Sequence, residues 1–164
     1  MDRNLIQIET EIYNKCALAI SEFKIEIESK EYYACQFKLN GCSIISRNSK
    51  ITPTKTGQFV TFWKRNPNGP IEPFSETDPI DFYIVNVRTE NNFGQFVFPK
   101  SVLIEKGILS TDRKEGKRAF RVYASWDIAK NKQAERTQKW QLNYFFEIGV
   151  MTDLIKVNEL YTIN

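Results

Sequence analysis

The chemistry available to this chain lies where cations stand beside aromatic rings. Trp63-Lys64-Arg65 sets an indole next to two positive charges, a grouping that can stack a base on the ring and hold phosphates on the cations. Alternation along a strand puts Phe62 and Trp63 on opposite faces, so one of the two rings belongs to the core. Glu115-Gly-Lys-Arg118 and Arg121 form a basic loop that rises into a strand, with Gly116 allowing a close backbone approach. Lys132, Arg136 and Lys139, spaced by four and three residues, share one helical face beside Trp140. A solvated surface is the simpler assignment for each of these charge groups, and a shared phosphate-binding groove is the sharper one.

The net charge of +3 says little, but its distribution is uneven. From Tyr32 through Ile71 there is no acid, against Lys38, Arg47, Lys50, Lys55, Lys64 and Arg65, and the acids collect in residues 1 to 31 and 72 to 90. The chain has no histidine, which excludes Ser-His-Asp and Cys-His catalysis, HExxH zinc sites and histidine pH switching within it. Cys16, Cys35 and Cys42 are an odd set with no CxxC pair, against both a disulfide framework and a zinc knuckle. No apolar run approaches the roughly 18 residues that a membrane span requires, and no signal-peptide pattern opens the chain. The expectation is a reduced cytoplasmic protein that needs no cofactor or metal and has no membrane partner.

At 164 residues, 41% of them hydrophobic, the chain has the material for one domain over residues 1–164. Leu5, Ile8, Ile12, Cys16, Ala19, Ile20, Phe23 and Ile27 recur at mostly three- and four-residue intervals and predict an amphipathic helix over 3–28. Tyr33 to Leu39 alternates, and Asn40-Gly41 supplies a two-residue turn before Cys42 to Arg47. That hairpin leaves Cys35 and Cys42 roughly 13 Å apart, beyond disulfide reach. Further strands are expected at Gln58–Arg65, Ile80–Arg88, Gln95–Phe98 and Ala119–Ala124, a short helix at Val102–Lys106 closed by Gly107, and a long helix over 129–147. The tail after Gly149 is ambiguous between helix and strand. Gly-Gln-Phe-Val occurs at both 57–60 and 94–97, but the flanking segments differ, so it marks two strand starts rather than a repeat architecture. This order gives an α/β or α+β fold with a mixed, partly antiparallel sheet flanked by helices.

Ile51-Thr-Pro-Thr-Lys-Thr-Gly-Gln-Phe-Val-Thr-Phe-Trp-Lys-Arg65, Phe93-Gly-Gln-Phe-Val-Phe-Pro-Lys-Ser101, Glu115-Gly-Lys-Arg118, Arg121-Val-Tyr123 and Lys132-Gln-Ala-Glu-Arg-Thr-Gln-Lys-Trp140 resemble the MepB-like family over about residues 49–141. These are small bacterial cytoplasmic proteins, some encoded beside multidrug efflux genes. The resemblance implies a fold similar to restriction-endonuclease-like nucleic-acid-binding proteins. Such nucleases pair an Asp on one strand with an acid-x-Lys on its antiparallel neighbour, two carboxylates holding Mg²⁺ while the lysine helps activate water. A turn at Asn91-Asn92 places Asp81 opposite a residue near Lys100, but Phe98 stands where the second carboxylate belongs. Glu105 could supply a migrated acid, and a strand-end salt bridge is the simpler assignment for Asp81 and Lys100.

The residues therefore favour a non-catalytic nucleic-acid-binding protein, DNA or RNA, using Lys55, Trp63, Lys64, Arg65, Lys100, Lys117, Arg118, Arg121, Lys132 and Lys139. The alternatives are a binder of an anionic small molecule or acidic protein partner, and a Mg²⁺-dependent nuclease with a degenerate site.

Overall fold

The computed structural model describes residues 1–162. Helix α1 (Arg3–Glu11) starts on Asp2, whose carboxylate accepts the Asn4 N–H at 3.0 Å. It does not run on to residue 28. A 3₁₀ turn at Tyr13–Cys16 follows, Ala17 takes a left-handed φ of 55°, and Asn40 clamps the reversal by accepting from the Ala19 N–H and donating to the Ala17 carbonyl. Residues Ile20–Ile25 are strand β1. The helical reading failed there because of a bulge. Register against the next strand shifts between Ser21 and Lys24, with Glu22 at φ 51°, so Ile20 and Phe23 turn to the same apolar cluster three residues apart.

The hairpin forms as expected: β2 (Cys35–Leu39) and β3 (Cys42–Asn48) pair Leu39 with Cys42 across Asn40 and Gly41, both at positive φ. Cys35 faces Ser46, far from Cys42, and all three cysteines are free. After β4 (Lys50–Ile51), the single strand expected at Gln58–Arg65 is divided into β5 (Gln58–Thr61) and β6 (Trp63–Arg65). Phe62 causes the break: it is wholly buried, its ring stacked on Tyr83 at 3.9 Å. Strand β6 then pairs with β7 (Ile71–Pro73) instead of continuing β5.

Strands β8 (Phe82–Arg88) and β9 (Phe93–Pro99) close over the expected turn, and β9 runs directly into α2 (Lys100–Glu105). Next come β10 (Ala119–Val122) and α3 (Lys132–Gln141), which stops six residues short of the expected end because Phe145–Glu147 forms β11 against β9. Adjacent Phe145 and Phe146 enter two different apolar clusters on opposite faces, which a strand permits and a helix does not. The ambiguous tail is helix α4 (Leu154–Thr162).

The main sheet is ordered β1-β2-β3-β8-β9-β11, antiparallel except for the β3–β8 pair. This is the mixed α+β sheet expected. Tyr83, Val85 and Val87 point to one cluster, where Val60 and Val122 of the small β10-β5-β4 sheet also lie, and Phe82 and Ile84 point to the other, beneath α1 and α4. Burial on both faces explains the nearly continuous apolar run of β8. No helix among the described residues is long and apolar enough to cross a membrane.

Polar side chains cross the middle of this sheet. Asn86 donates to Asn48 at 3.0 Å, Gln95 donates to Asn86 at 2.9 Å, and the Gln95 oxygen accepts from the hydroxyl of Tyr161, itself 2.6 Å from that of Tyr13. Asn48, Asn86 and Gln95 are register partners on β3, β8 and β9. Replacing the central amide takes a partner from the Asn48 oxygen and one of two partners, the other being the Tyr13 hydroxyl, from the Gln95 amide nitrogen, at about 1–3 kcal/mol each. Asn86→Leu should therefore lower stability by about 2–4 kcal/mol, measured as a lower urea midpoint.

Candidate functional site

Strand β10 and helix α3 are joined by one buried amide. Gln141 accepts from the Tyr123 N–H at 2.8 Å and donates to the Arg121 carbonyl at 2.9 Å, so the helix end continues the hydrogen bonding of the strand. At the start of α3, Asn131 caps the helix by accepting from the Ala134 N–H at 2.8 Å. Arg121 ties β10 to the preceding loop through the Thr52 hydroxyl at 2.6 Å and the carbonyls of Thr56 and Gly57 at 3.3 Å. Gly57, at φ 78°, is a position that only glycine fills easily: a β-carbon there would lie 2.7 Å from the Tyr123 ring.

The basic loop reaches the same place by a similar device. Gly116 donates to the Ser110 hydroxyl at 2.7 Å, and its own β-carbon would sit 2.3 Å from the Ile108 carbonyl. The close approach expected of Gly116 is thus to the chain that follows α2, bringing Lys117 toward Lys106. Between these elements opens a cleft of about 370 Å³. Lys106, Lys117 and Arg121 supply its charge, Phe120, Tyr123 and Trp140 its aromatic walls, and among the described residues no carboxylate lines it. The Lys106 ammonium lies over the Trp140 ring, 5.3 Å from its centre.

Other candidate cations are engaged elsewhere. Lys64 pairs with Asp78 at 2.8 Å and with Glu72 at 3.7 Å. Arg65 lies over Trp63 and binds Glu28 through two nitrogens, an exposed pair that raises the guanidinium and lowers the carboxyl pKa. Arg118 pairs with Glu115 at 2.9 Å, and Arg47, within the acid-free stretch, is buried against Glu26. That stretch is basic only along the chain; folding brings acids to it from both sides. The hollow beside Lys64 accordingly has mixed charge, with Glu22, Glu26 and Asp78 in its lining. Lys55 is exposed on the loop before β5, and Lys132, Arg136 and Lys139 are exposed on α3, while Gln133, Thr137 and Trp140 of that helix face the cleft. Lys117 and Lys64 line separate hollows and Lys132, Arg136 and Lys139 line neither, so the single groove expected to join them is not seen among the described residues.

The register expected of Asp81 and Lys100 is present, but their side chains bond elsewhere. Phe82 pairs with Pro99, and the Lys100 N–H donates to the Asp81 carbonyl at 3.0 Å. The Asp81 carboxylate, however, accepts the Ser43 N–H at 2.7 Å, and the Lys100 ammonium turns to the Asp78 carbonyl at 2.7 Å. The expected Asp81–Lys100 ion pair is absent among the described residues. Phe98 is wholly buried against Phe96 and Trp140, and Glu105 is exposed on α2. Among the described residues no three Asp, Glu, Cys or His side chains converge to hold a metal ion.

Lys106, Phe120, Tyr123 and Gln133 had no part in the sequence-based site. Their signals were local only, a lysine before the helix-ending Gly107 and aromatics flanking Arg121, and it is the β10–α3 junction that assembles them.

A model of the MepB-like family matches residues 26–147. The crystal structure of MepB is similar to this chain at 36% identity and a TM-score of 0.79, covering 91% of this chain and 99% of that one. A bacterial homing endonuclease is similar at 14% identity and a TM-score of 0.45, covering 85% and 86% of the two chains. No curated protein matches the chain.

Since Gly57 makes room for Tyr123, Gly57→Ala should cost about 2–4 kcal/mol from positive-φ strain and overpacking. Urea unfolding measures the loss, and a changed near-ultraviolet circular dichroism signal reports the displaced ring.

Proposed function

This chain belongs to the MepB-like family, and from that premise we propose that it binds nucleic acid through the cleft between β10 and α3 without cleaving it. The observation that carries the reading is the lining of that cleft: among the described residues, three cations and three aromatic rings with no carboxylate. Phosphate groups bind such cations by releasing condensed counterions, so affinity depends on salt and little on sequence. Rings beside the cations supply stacking surfaces that tolerate any base. The placement of Asp81, Phe98 and Lys100 supports binding over hydrolysis, because the one carboxylate in the nuclease-like position is held by the Ser43 N–H. A cytoplasmic location, where thiols stay reduced and nucleic acid is at hand, fits this reading. An anionic small molecule would use the same cations, but its affinity would not rise with the length of a nucleic-acid strand.

Electrophoretic retardation of DNA and RNA fragments over a salt series tests the proposal. Binding should weaken steeply with salt, and Lys106→Ala and Lys117→Ala should each flatten the logarithmic salt slope by about 0.7–1. Changing Lys64 and Arg65, whose charges are already compensated, should have a much smaller effect. Absence of retardation at low salt, or affinity independent of salt, rejects it.

A further inference from the structure

The shape of the cleft narrows the class of nucleic acid. We infer that it receives a single unpaired nucleotide, so that the protein prefers single-stranded, bulged or extruded positions to a continuous duplex. This rests on the nucleic-acid-binding reading above and goes beyond it. At about 370 Å³ the hollow lies in the range of pockets that enclose one small molecule. A double helix cannot enter a space of that size, and its base faces are stacked on one another and closed to protein rings.

The aromatic side chains lining the cleft can therefore meet a base only if it has left the stack. Trp140 is fixed from behind by Phe98, 5.5 Å away between ring centres, and Lys106 lies over it. Lys106 has no carboxylate partner within 4 Å among the described residues. It can exchange its place over the indole for a phosphate as a base arrives, which keeps the ring face covered in both states. Phe120 is held edge-on against Tyr83, and Tyr123 is set by the gap at Gly57, so these two rings are also positioned before any ligand comes. From α3, Gln133 and Thr137 line the same cleft, and their side chains have no hydrogen-bond partner among the described residues. An amide and a hydroxyl in that position can bond to the edge of an unpaired base. Lys117 completes the arrangement as a phosphate partner for the flanking backbone, and Arg121 adds positive charge from the cleft wall while its guanidinium holds the loop at Thr52, Thr56 and Gly57.

Fluorescence anisotropy with three short duplexes decides the matter: one fully paired, one with a single extra unpaired nucleotide, and one with an abasic residue at that bulge. The unpaired base should tighten binding about tenfold over the paired duplex, the gain expected from one base–aromatic stack. The abasic bulge should lose that gain while keeping the same salt slope, because its phosphates remain. Trp140→Ala should also remove the gain. As that change could disturb packing on Phe98, Gln133→Ala, a solvent-accessible position in the cleft lining, serves as a second variant, and it should lower the ratio of bulge affinity to duplex affinity. Equal affinity for all three ligands overturns the single-nucleotide inference and leaves the nucleic-acid-binding reading standing. Failure to bind any of them at low salt overturns both.

Discussion

The row of amides across β3, β8 and β9 is the constraint on which the rest of the molecule depends. The sheet has one parallel seam, between β3 and β8, where hydrogen bonding alone accepts more than one register. Asn48, Asn86 and Gln95 make a single register far better than its neighbours, since a slip of one residue would leave buried amides without partners and reverse every side chain. The row is extended at both ends: Asn48 also donates to Asp2, the cap of α1, and Gln95 accepts from Tyr161 of α4. Burial pushes the Tyr13 and Tyr161 hydroxyls far above the ordinary tyrosine range, so both remain neutral and able to donate. Because β9 passes into α2 without a loop, fixing its register also fixes the helix that delivers Lys106 to the cleft.

The twice-used Gly-Gln-Phe-Val has a common physical basis. In each copy the glycine lies beneath an aromatic ring, Tyr123 over Gly57 and Phe145 over Gly94, leaving no space for a β-carbon. Each glutamine is buried and bonded on both ends of its amide: Gln58 with the Ser49 hydroxyl and the Arg88 carbonyl, Gln95 with Asn86 and the tyrosines. Each valine is completely buried, Val60 and Val97. The same four residues thus solve the same local problem twice, covering a glycine by a ring and anchoring a strand through an amide, in two different sheets.

What the sequence made legible was governed by neighbours along the chain. Asn40-Gly41 determined a hairpin and its register, the Asn91-Asn92 turn put Asp81 opposite Lys100, and Gly107 ended α2. What stayed hidden depended on residues far apart. The bulge at Glu22 gave β1 the spacing of a helix, and Tyr83 drew Phe62 out of a strand that alternation alone would have continued. Charge was the least readable property. Lys64 and Arg65 lie near the end of an acid-free stretch, yet Glu28 and Asp78 reach them once the chain has folded. Lys117 and Arg121 were identified and do line the cleft, but its aromatic walls emerged only from the contact between β10 and α3.

The bulge that disguised β1 has a second consequence. A sheet with open ends offers unpaired backbone groups as a template on which another chain can add strands and begin to aggregate. Strand β1 is one end of this sheet, and Glu22 at φ 51° interrupts its ladder in the middle and sets a charge at the break. The other end is β11, only three residues long. A foreign strand would find only a short run of regular backbone at either margin of this sheet, so the irregularity of β1 narrows the template that the sheet offers.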